Sequence, residues 1–220
     1  MAQSALGPDH DVAAHFTPCY KPWDQRLCVA PDADLFAVIR SGRASVLTDH
    51  VEAFTEKGIR LRSGRELQAD IVVTATGLKL NLLGNVELEV DGRRVELSET
   101  MAYKGALLTG VPNLAAVFGY TNASWTLKAD LVCEYVCRLL NHMRRRGYAA
   151  VVPRRDPAVG EEPLLDFSSG YVRRALHMLP KQGAKRPWKL RQNYALDLLA
   201  LRFGAIEDGV LEFTRRARFP

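Results

Sequence analysis

The sequence lacks a long apolar run, because no stretch reaches the ~18 residues that a membrane-spanning helix needs. Its first residues also lack the basic start and the apolar core of a secretory signal. Only four cysteines occur, none in a Cys-x-x-Cys pair, and the five histidines are too dispersed to complete a metal site. These absences predict a protein of the reducing cytoplasm with no transmembrane segment and no metal centre.

The glycines lack the spacing that dinucleotide-binding proteins use. None of the 16 glycines is separated from another by a single residue, so the chain contains no Gly-x-Gly. That spacing lets backbone amides close on a pyrophosphate at the start of a helix. A Gly-x-x-x-x-Gly-Lys phosphate loop and a Gly-x-Ser-x-Gly nucleophile elbow are absent too. Taken alone, the chain is not expected to hold a dinucleotide tightly by the usual route.

Positive charge is present without being concentrated. The formal charge is +5, and lysines and arginines stand beside aspartates and glutamates along most of the chain. The densest basic run, residues 144–146, ends a predicted helix, where cations favour the negative end of the helix dipole. Nucleic acid is therefore not the expected partner, and a basic surface for a dinucleotide explains the charge as well.

Short apolar stretches predict β-structure after an irregular, proline-rich segment of residues 1–34. A meander is expected at 44–48, Val51–Thr55 and Gly58–Leu61, leading into a strand at 66–75. The continuous apolar run of residues 71–73 is typical of a strand buried on both faces. A hairpin around Asp91-Gly92 and a second buried strand at residues 114–119 are predicted as well.

The clearest single element is an amphipathic helix. Leu127, Leu131, Tyr135, Leu139 and Met143 recur every four residues after a run of N-cap candidates, and a glycine follows the pattern. Shorter helices are expected near residue 35 and over residues 171–179 and 192–203. From periodicity and composition alone, the chain is an α/β protein with a buried strand pair and one long helix.

Three longer stretches carry a resemblance to a known family. They are residues 15–26 (HFTPCYKPWDQR), 69–77 (ADIVVTATG) and 118–131 (FGYTNASWTLKADL). Together they resemble the latter half of the class B flavoprotein monooxygenases, and most closely the Baeyer–Villiger enzymes related to the thioamide-prodrug-activating monooxygenase. The tail residues 179–183 (LPKQG), 187–188 (PW) and 192–194 (QNY) fit the same subgroup. The resemblance runs from about residue 11 to about residue 204.

The resemblance implies an α/β fold that is incomplete in this chain: the C-terminal portion of a Rossmann-like flavoprotein with two dinucleotide-binding domains. Residues 1–78 would be the last part of the NADPH-binding domain, and residues 79–220 would complete the FAD-binding domain and its tail. In the family the glycine fingerprints for both cofactors lie upstream of the part matched here. That arrangement would explain the missing Gly-x-Gly.

The resemblance also implies a reaction. NADPH would reduce FAD, the reduced flavin would add dioxygen to give a C4a-peroxyflavin, and one oxygen atom would pass to a ketone or to a sulfur-containing substrate. Arg26 occupies the place of the family's catalytic arginine, where a permanent cation would stabilise the anionic peroxide. An ordinary surface arginine in a proline-rich loop is the alternative interpretation.

Five further residues are candidate cofactor contacts by the same resemblance. Thr76 and Gly77 would lie at the hinge between the two dinucleotide domains, although an ordinary strand-end turn is the alternative. Asn122, Ala123 and Ser124 would present the amides of the helix start to the electron-rich edge of the flavin. Against this, any helix favours Asn or Ser at its cap.

A second hypothesis belongs to another class. The chain would be non-catalytic and would act as an interaction module, self-associate or complete a partner chain that supplies the upstream half. The missing fingerprints favour this hypothesis for the isolated chain, whereas the resemblance favours the enzyme. Whether the purified protein is yellow distinguishes the two.

We expect the isolated 220-residue chain to bind FAD weakly or not at all, because no Gly-x-Gly is present to form the amide cradle for the pyrophosphate. The measurement is the visible absorption spectrum of the protein after incubation with FAD and dialysis. A stoichiometric flavin spectrum would contradict the expectation.

Overall fold

The computed structural model describes residues 2–21, 24–25 and 30–215. It divides the chain into two compact units, Met1–Gly77 and Leu78–Pro220. Among the described residues, no helix combines the length and the apolar character that crossing a bilayer requires. The assignment of the units to an NADPH-binding and an FAD-binding domain stays a prediction.

The first unit contains short helices followed by an antiparallel sheet. In chain order its elements are α1 (Ala2–Leu6), α2 (Val12–Phe16), a 3₁₀ turn (Pro31–Ala33), α3 (Asp34–Arg40), β1 (Val51–Thr55), β2 (Gly58–Leu61) and β3 (Glu66–Gln68). The strands pair in the order β1-β2-β3. Gly58, at φ +148°, begins β2 so close to β3 that a Cβ there would lie 2.0 Å from the carbonyl oxygen of Leu67. Only glycine fits this position.

The meander is confirmed in part, and the buried strand expected at residues 71–73 is wrong. No strand forms at residues 44–48, and β3 ends at Gln68. Ile71 and Val73 are 82% and 83% exposed. A strand that is apolar on both faces needs neighbours that cover it, and among the described residues no strand pairs with this run. The apolar pattern is present here without the elements that would bury it.

The second unit contains the long helix and four small antiparallel pairs. Its strands are β4 (Glu89–Val90), β5 (Arg93–Arg94), β6 (Ala102–Tyr103), β7 (Leu107–Leu108), β8 (Tyr148–Pro153), β9 (Glu161–Pro163), β10 (Lys181–Gly183) and β11 (Leu211–Arg215). Its helices are α4 (Trp125–Arg146), α5 (Gly170–Ala175), α6 (Tyr194–Leu198) and a π-helix (Leu199–Phe203), with 3₁₀ turns at Leu82–Asn85, Leu97–Glu99 and Leu176–Met178. Strand β4 pairs with β5, β6 with β7, β8 with β11, and β9 with β10.

The predicted hairpin is confirmed, but the strand expected at residues 114–119 is wrong. Asp91 and Gly92, at φ 51° and 74°, form the two-residue turn between β4 and β5. Within residues 114–119 the structure has only an isolated bridge between Ala115 and Leu107. Phe118 is buried all the same. The apolar run therefore predicts the burial of its last residues, 118–119, but not regular strand pairing.

Helix α4 is the predicted amphipathic helix, and its 22 residues make it about 33 Å long. Gly147, at φ +70°, ends it in the left-handed conformation that glycine adopts without strain. Leu131, Tyr135 and Leu139 are at most 2% exposed and form the core together with Trp188 and residues of β8 and β11. Each such buried apolar side chain contributes about 1.5–3 kcal/mol. The core of the second unit therefore packs around the apolar face of α4.

The described structure is mixed α/β, as expected. All pairs between its strands are antiparallel, whereas the expected Rossmann-like fold is built on a parallel sheet. That finer assignment stays a proposal.

We expect the 220-residue chain to self-associate through its exposed apolar run. The double variant Ile71→Lys/Val73→Lys should reduce association, because it replaces exposed apolar surface by charge. Light scattering at tens of micromolar (~10–50 µM) measures the change. The control Gln68→Lys/Thr74→Lys adds the same charge nearby without removing apolar surface. Equal association of the test variant and the parent would contradict the role of this run.

Candidate functional site

The turn that precedes α4, residues 121–124, is held by the segment that precedes α6. The Thr121 N–H donates to the side-chain carbonyl of Gln192 at 2.7 Å. The Asn122 side-chain amide donates to the main-chain carbonyl of Gln192 at 3.1 Å. One residue later, Asn193 caps α6 by accepting from the Leu196 N–H at 3.0 Å. Two helix starts are thus joined through a single glutamine.

Ser124 is the N-cap of α4. Its hydroxyl accepts from the Thr126 N–H at 3.4 Å and lies 2.7 Å from the Thr126 hydroxyl. Just before the turn, Gly119 leaves room for the ring of Trp125, since a Cβ at position 119 would come within 2.2 Å of that ring. The Trp125 side chain is nevertheless 59% exposed. The start of α4 therefore presents an aromatic ring and the exposed residues Asn122 and Ser124 at the surface of the unit.

A buried ionic network lies behind this turn. The Lys128 ammonium is 2.8 Å from Asp197 Oδ2, and the Tyr120 hydroxyl donates to the same oxygen at 2.7 Å. All three residues are less than 9% exposed. Because Lys128 belongs to α4 and Asp197 to α6, the pair connects the two helices. A charge-assisted hydrogen bond of this length between largely buried groups is strong and directional.

The network displaces the pKa values of two of its members. Burial lowers the pKa of the Lys128 ammonium, while Asp197 acts in the opposite direction. Burial, reinforced by the hydrogen bond to Asp197, raises the pKa of the Tyr120 hydroxyl above its ordinary value. Tyr120 is therefore a neutral donor at physiological pH.

A second network of the same composition lies nearby. The Tyr103 hydroxyl donates to Asp208, and the Lys104 ammonium lies 3.0 Å from the same carboxylate oxygen. Burial would raise the pKa of Asp208, but the Tyr103 hydrogen bond and the Lys104 charge hold it below its ordinary value. Burial also raises the pKa of the neighbouring Tyr135 to about 12. Each network thus contains one carboxylate shared by one lysine and one tyrosine.

The lysine and the aspartate of each network line a common cavity of about 180 Å³. Lys104 and Lys128 contribute to its wall with their aspartates, and the remaining wall comes from residues 186–191 and from α6 and the segment after it. The turn 121–124 adjoins this wall through Gln192, which follows Arg191 in the chain. The candidate site therefore combines the start of α4 with a polar cavity beside it.

The structure places the predicted site residues in different parts of the chain. Arg26 lies outside the described residues. Thr76 and Gly77 are exposed and end the first unit, where Gly77 has φ +110°. The other three predicted residues, Asn122, Ala123 and Ser124, form the turn in the second unit. Their contact with a cofactor stays a prediction.

Sequence reasoning missed the residues that fix this turn. Lys128 stands on the same helix face as Leu131 and Tyr135, and a lysine on a buried face requires a carboxylate. Asp197, inside the apolar run of α6, is the matching signal. Each of these two residues stands out in the sequence, but the sequence does not show that they pair across 69 positions.

Comparison with known proteins identifies relatives of the chain. It is 53% identical over 216 residues to the protein named FAD-containing monooxygenase EthA of Mycolicibacterium smegmatis, and 54% identical over 217 residues to the protein of that name in Mycobacterium tuberculosis. It is 50% identical over 204 residues to the probable FAD-binding monooxygenase AlmA of Acinetobacter baylyi. No protein-family model matches the chain.

The similarity covers most of this chain but less than half of each relative. It includes 98% of this chain but 44% of each EthA protein, and 92% of this chain but 41% of AlmA. The chain thus spans less than half the length of these relatives. The resemblance expected from the sequence is confirmed: the chain is a homologue of part of the FAD-containing monooxygenases.

We expect Lys128→Met to lower the free energy of unfolding by about 3–5 kcal/mol, because it leaves the Asp197 carboxylate buried without a cation. Tyr120→Phe should cost only ~1 kcal/mol, since Lys128 remains as a partner. Urea unfolding followed by circular dichroism measures both. The double variant Lys128→Met/Asp197→Leu should recover most of the loss. Lys79→Met, at an exposed lysine, is the control. A loss in Lys128→Met no larger than in the control would contradict the role of the pair.

Proposed function

We propose that this chain forms the carboxy-terminal part of an FAD- and NADPH-dependent monooxygenase of the Baeyer–Villiger type. The reaction would insert one oxygen atom of dioxygen beside a ketone carbonyl, giving an ester or lactone, or add it to sulfur. The observation that carries the proposal is the identity of 53–54% to proteins named FAD-containing monooxygenases over 98% of the chain. Carbonyl or sulfur substrates and the use of NADPH come from the family resemblance.

The residues of the second unit fit one part of an FAD site. When bound, FAD would supply the redox chemistry that activates dioxygen. The turn 121–124 offers the amides and the positive end of a 22-residue helix, which suit an electron-rich ring edge. Its hydrogen bonds to Gln192 and the buried pair behind it make the turn rigid. Backbone groups of Asn122, Ala123 and Ser124 would hold the ring.

The same chain does not fit the pyrophosphate of FAD. No Gly-x-Gly is present to bring backbone amides close to two phosphates. The proposal therefore requires a second contributor: the part of the relatives that this chain does not match, joined to it or supplied by a partner chain. If no contributor exists, the chain is a non-catalytic interaction module, and the missing fingerprint is the observation that favours that function.

Each of the two units would contribute to the binding of one cofactor. Residues 1–78 would complete an NADPH-binding Rossmann-like domain, and residues 79–220 an FAD-binding one. Thr76 and Gly77 would lie at the hinge between them, and the φ of +110° at Gly77 is one that glycine adopts without strain. Arg26 would stabilise the negative charge that develops on oxygen during its transfer.

We expect Arg26→Ala to lower the oxygenation rate by ~10²–10³, because one fixed electrostatic donor is lost. The test requires a chain to which the upstream half of a relative has been restored. Flavin binding and folding should stay nearly unchanged, since the proline-rich sequence around Arg26 predicts a loop, and loop side chains contribute little to a core. Arg26→Lys should fail in large part too, because an ammonium lacks the planar, multi-donor guanidinium.

Stopped-flow absorbance and product analysis separate the steps of this test. NADPH consumption with release of hydrogen peroxide should persist in Arg26→Ala while product formation falls. Arg40→Ala, which removes an exposed arginine at the end of α3, is the matched control and should oxygenate at the parental rate. Parental oxygenation by Arg26→Ala would overturn the role given to this arginine.

A further inference from the structure

The cavity beside α4 has more cationic than anionic side chains in its wall. The cations are Lys104, Lys128, Arg186, Lys189 and Arg191, and the anions are Asp197 and Asp208. The wall is otherwise apolar or contributes main-chain atoms. An excess of positive charge around a small cavity raises the local concentration of anions.

The three lysines are already paired with carboxylates. Lys104 lies 3.0 Å from Asp208, and Lys128 lies 2.8 Å from Asp197. The Lys189 ammonium contacts Glu162. The lysine charges are therefore compensated within the protein.

The two arginines are not compensated in this way. Over residues 2–21, 24–25 and 30–215, neither Arg186 nor Arg191 has a carboxylate or a hydrogen-bond acceptor within bonding distance. Arg191 is only partly exposed, and a guanidinium that is partly removed from water gains more from an anionic partner than a fully exposed one does. Two forked donors at one cavity are an arrangement that an oxyanion satisfies.

The size of the cavity restricts the ligand. At about 180 Å³ it is smaller than the ~300–1,000 Å³ of pockets that enclose whole drug-sized molecules, so it suits a single small group. A phosphate dianion carries two negative charges, equal to the positive charge of the two unpaired arginines. Its tetrahedral oxygens can accept hydrogen bonds from two guanidinium groups at once. A carboxylate has only two oxygens and one charge.

We propose that this cavity binds a phosphate group, with Arg191 and Arg186 as its donors. The proposal goes beyond the flavin chemistry and does not depend on it, because it rests on the charges of the cavity wall alone. The phosphate would be either inorganic phosphate or the phosphate of a nucleotide, and both present the same oxygens. With a nucleotide, the remainder of the molecule would lie outside the cavity.

Isothermal titration calorimetry of the 220-residue chain with inorganic phosphate, and separately with AMP, tests the proposal. The titrations use pH 8, where phosphate is a dianion, at constant ionic strength. We expect saturable binding at one site and an affinity about tenfold or more lower in Arg191→Gln and in Arg186→Gln. Arg146→Gln removes an exposed arginine at the far end of α4 and should keep the parental affinity.

The outcomes show whether the phosphate site exists and, separately, which molecule carries the phosphate. Tighter binding of AMP than of phosphate supports the site with a nucleotide as ligand, and binding of phosphate alone supports it with the free ion. Circular dichroism confirms that each variant is folded, and Arg186 is exposed enough that its replacement leaves the core intact. Absence of saturable binding to the parent overturns the proposal. So does parental affinity in both cavity variants, or an equal loss in Arg146→Gln.

Discussion

The buried pair of Lys128 and Asp197 is the interaction on which the second unit depends most. A lysine on the apolar face of α4 is tolerated only because α6 brings a carboxylate to 2.8 Å. This requirement fixes α6 against α4 and sets the position of the segment before α6. Gln192 in that segment then holds residues 121–124. The conformation of the helix start thus depends on the buried charge of Lys128, one turn further along the helix, and on its pairing with Asp197.

The same logic connects the fold with the chemistry proposed for it. A helix start contributes to flavin binding only if its amides are held still, because a mobile dipole reorganises when charge develops. The chain supplies the helix and the hydrogen bonds that hold the turn before it, whereas its sequence contains no Gly-x-Gly for a pyrophosphate. The chain is similar to less than half of each FAD-containing relative.

Local patterns in the sequence predicted local structure well. The four-residue repeat of α4 and the Asp91-Gly92 turn specify their elements through neighbours close in the chain, and both are confirmed. The prediction of a buried strand at residues 71–73 was wrong, because the burial of a strand depends on elements that are distant in the sequence. A run of apolar residues does not show whether such elements are present. In the candidate site, the turn 121–124 came from family resemblance. The Lys128–Asp197 pair escaped prediction because one sequence does not show which distant acid meets a buried base.

The contact between Gly119 and Trp125 makes two positions interdependent. Any side chain at 119 would push the indole away from the first turn of α4, and a smaller residue at 125 would leave an open groove in its place. Homologous chains that replace the tryptophan are thus free to vary at 119, whereas those that keep it must keep the glycine. Sequence variation at the entrance of this helix is therefore informative only when both positions are considered together.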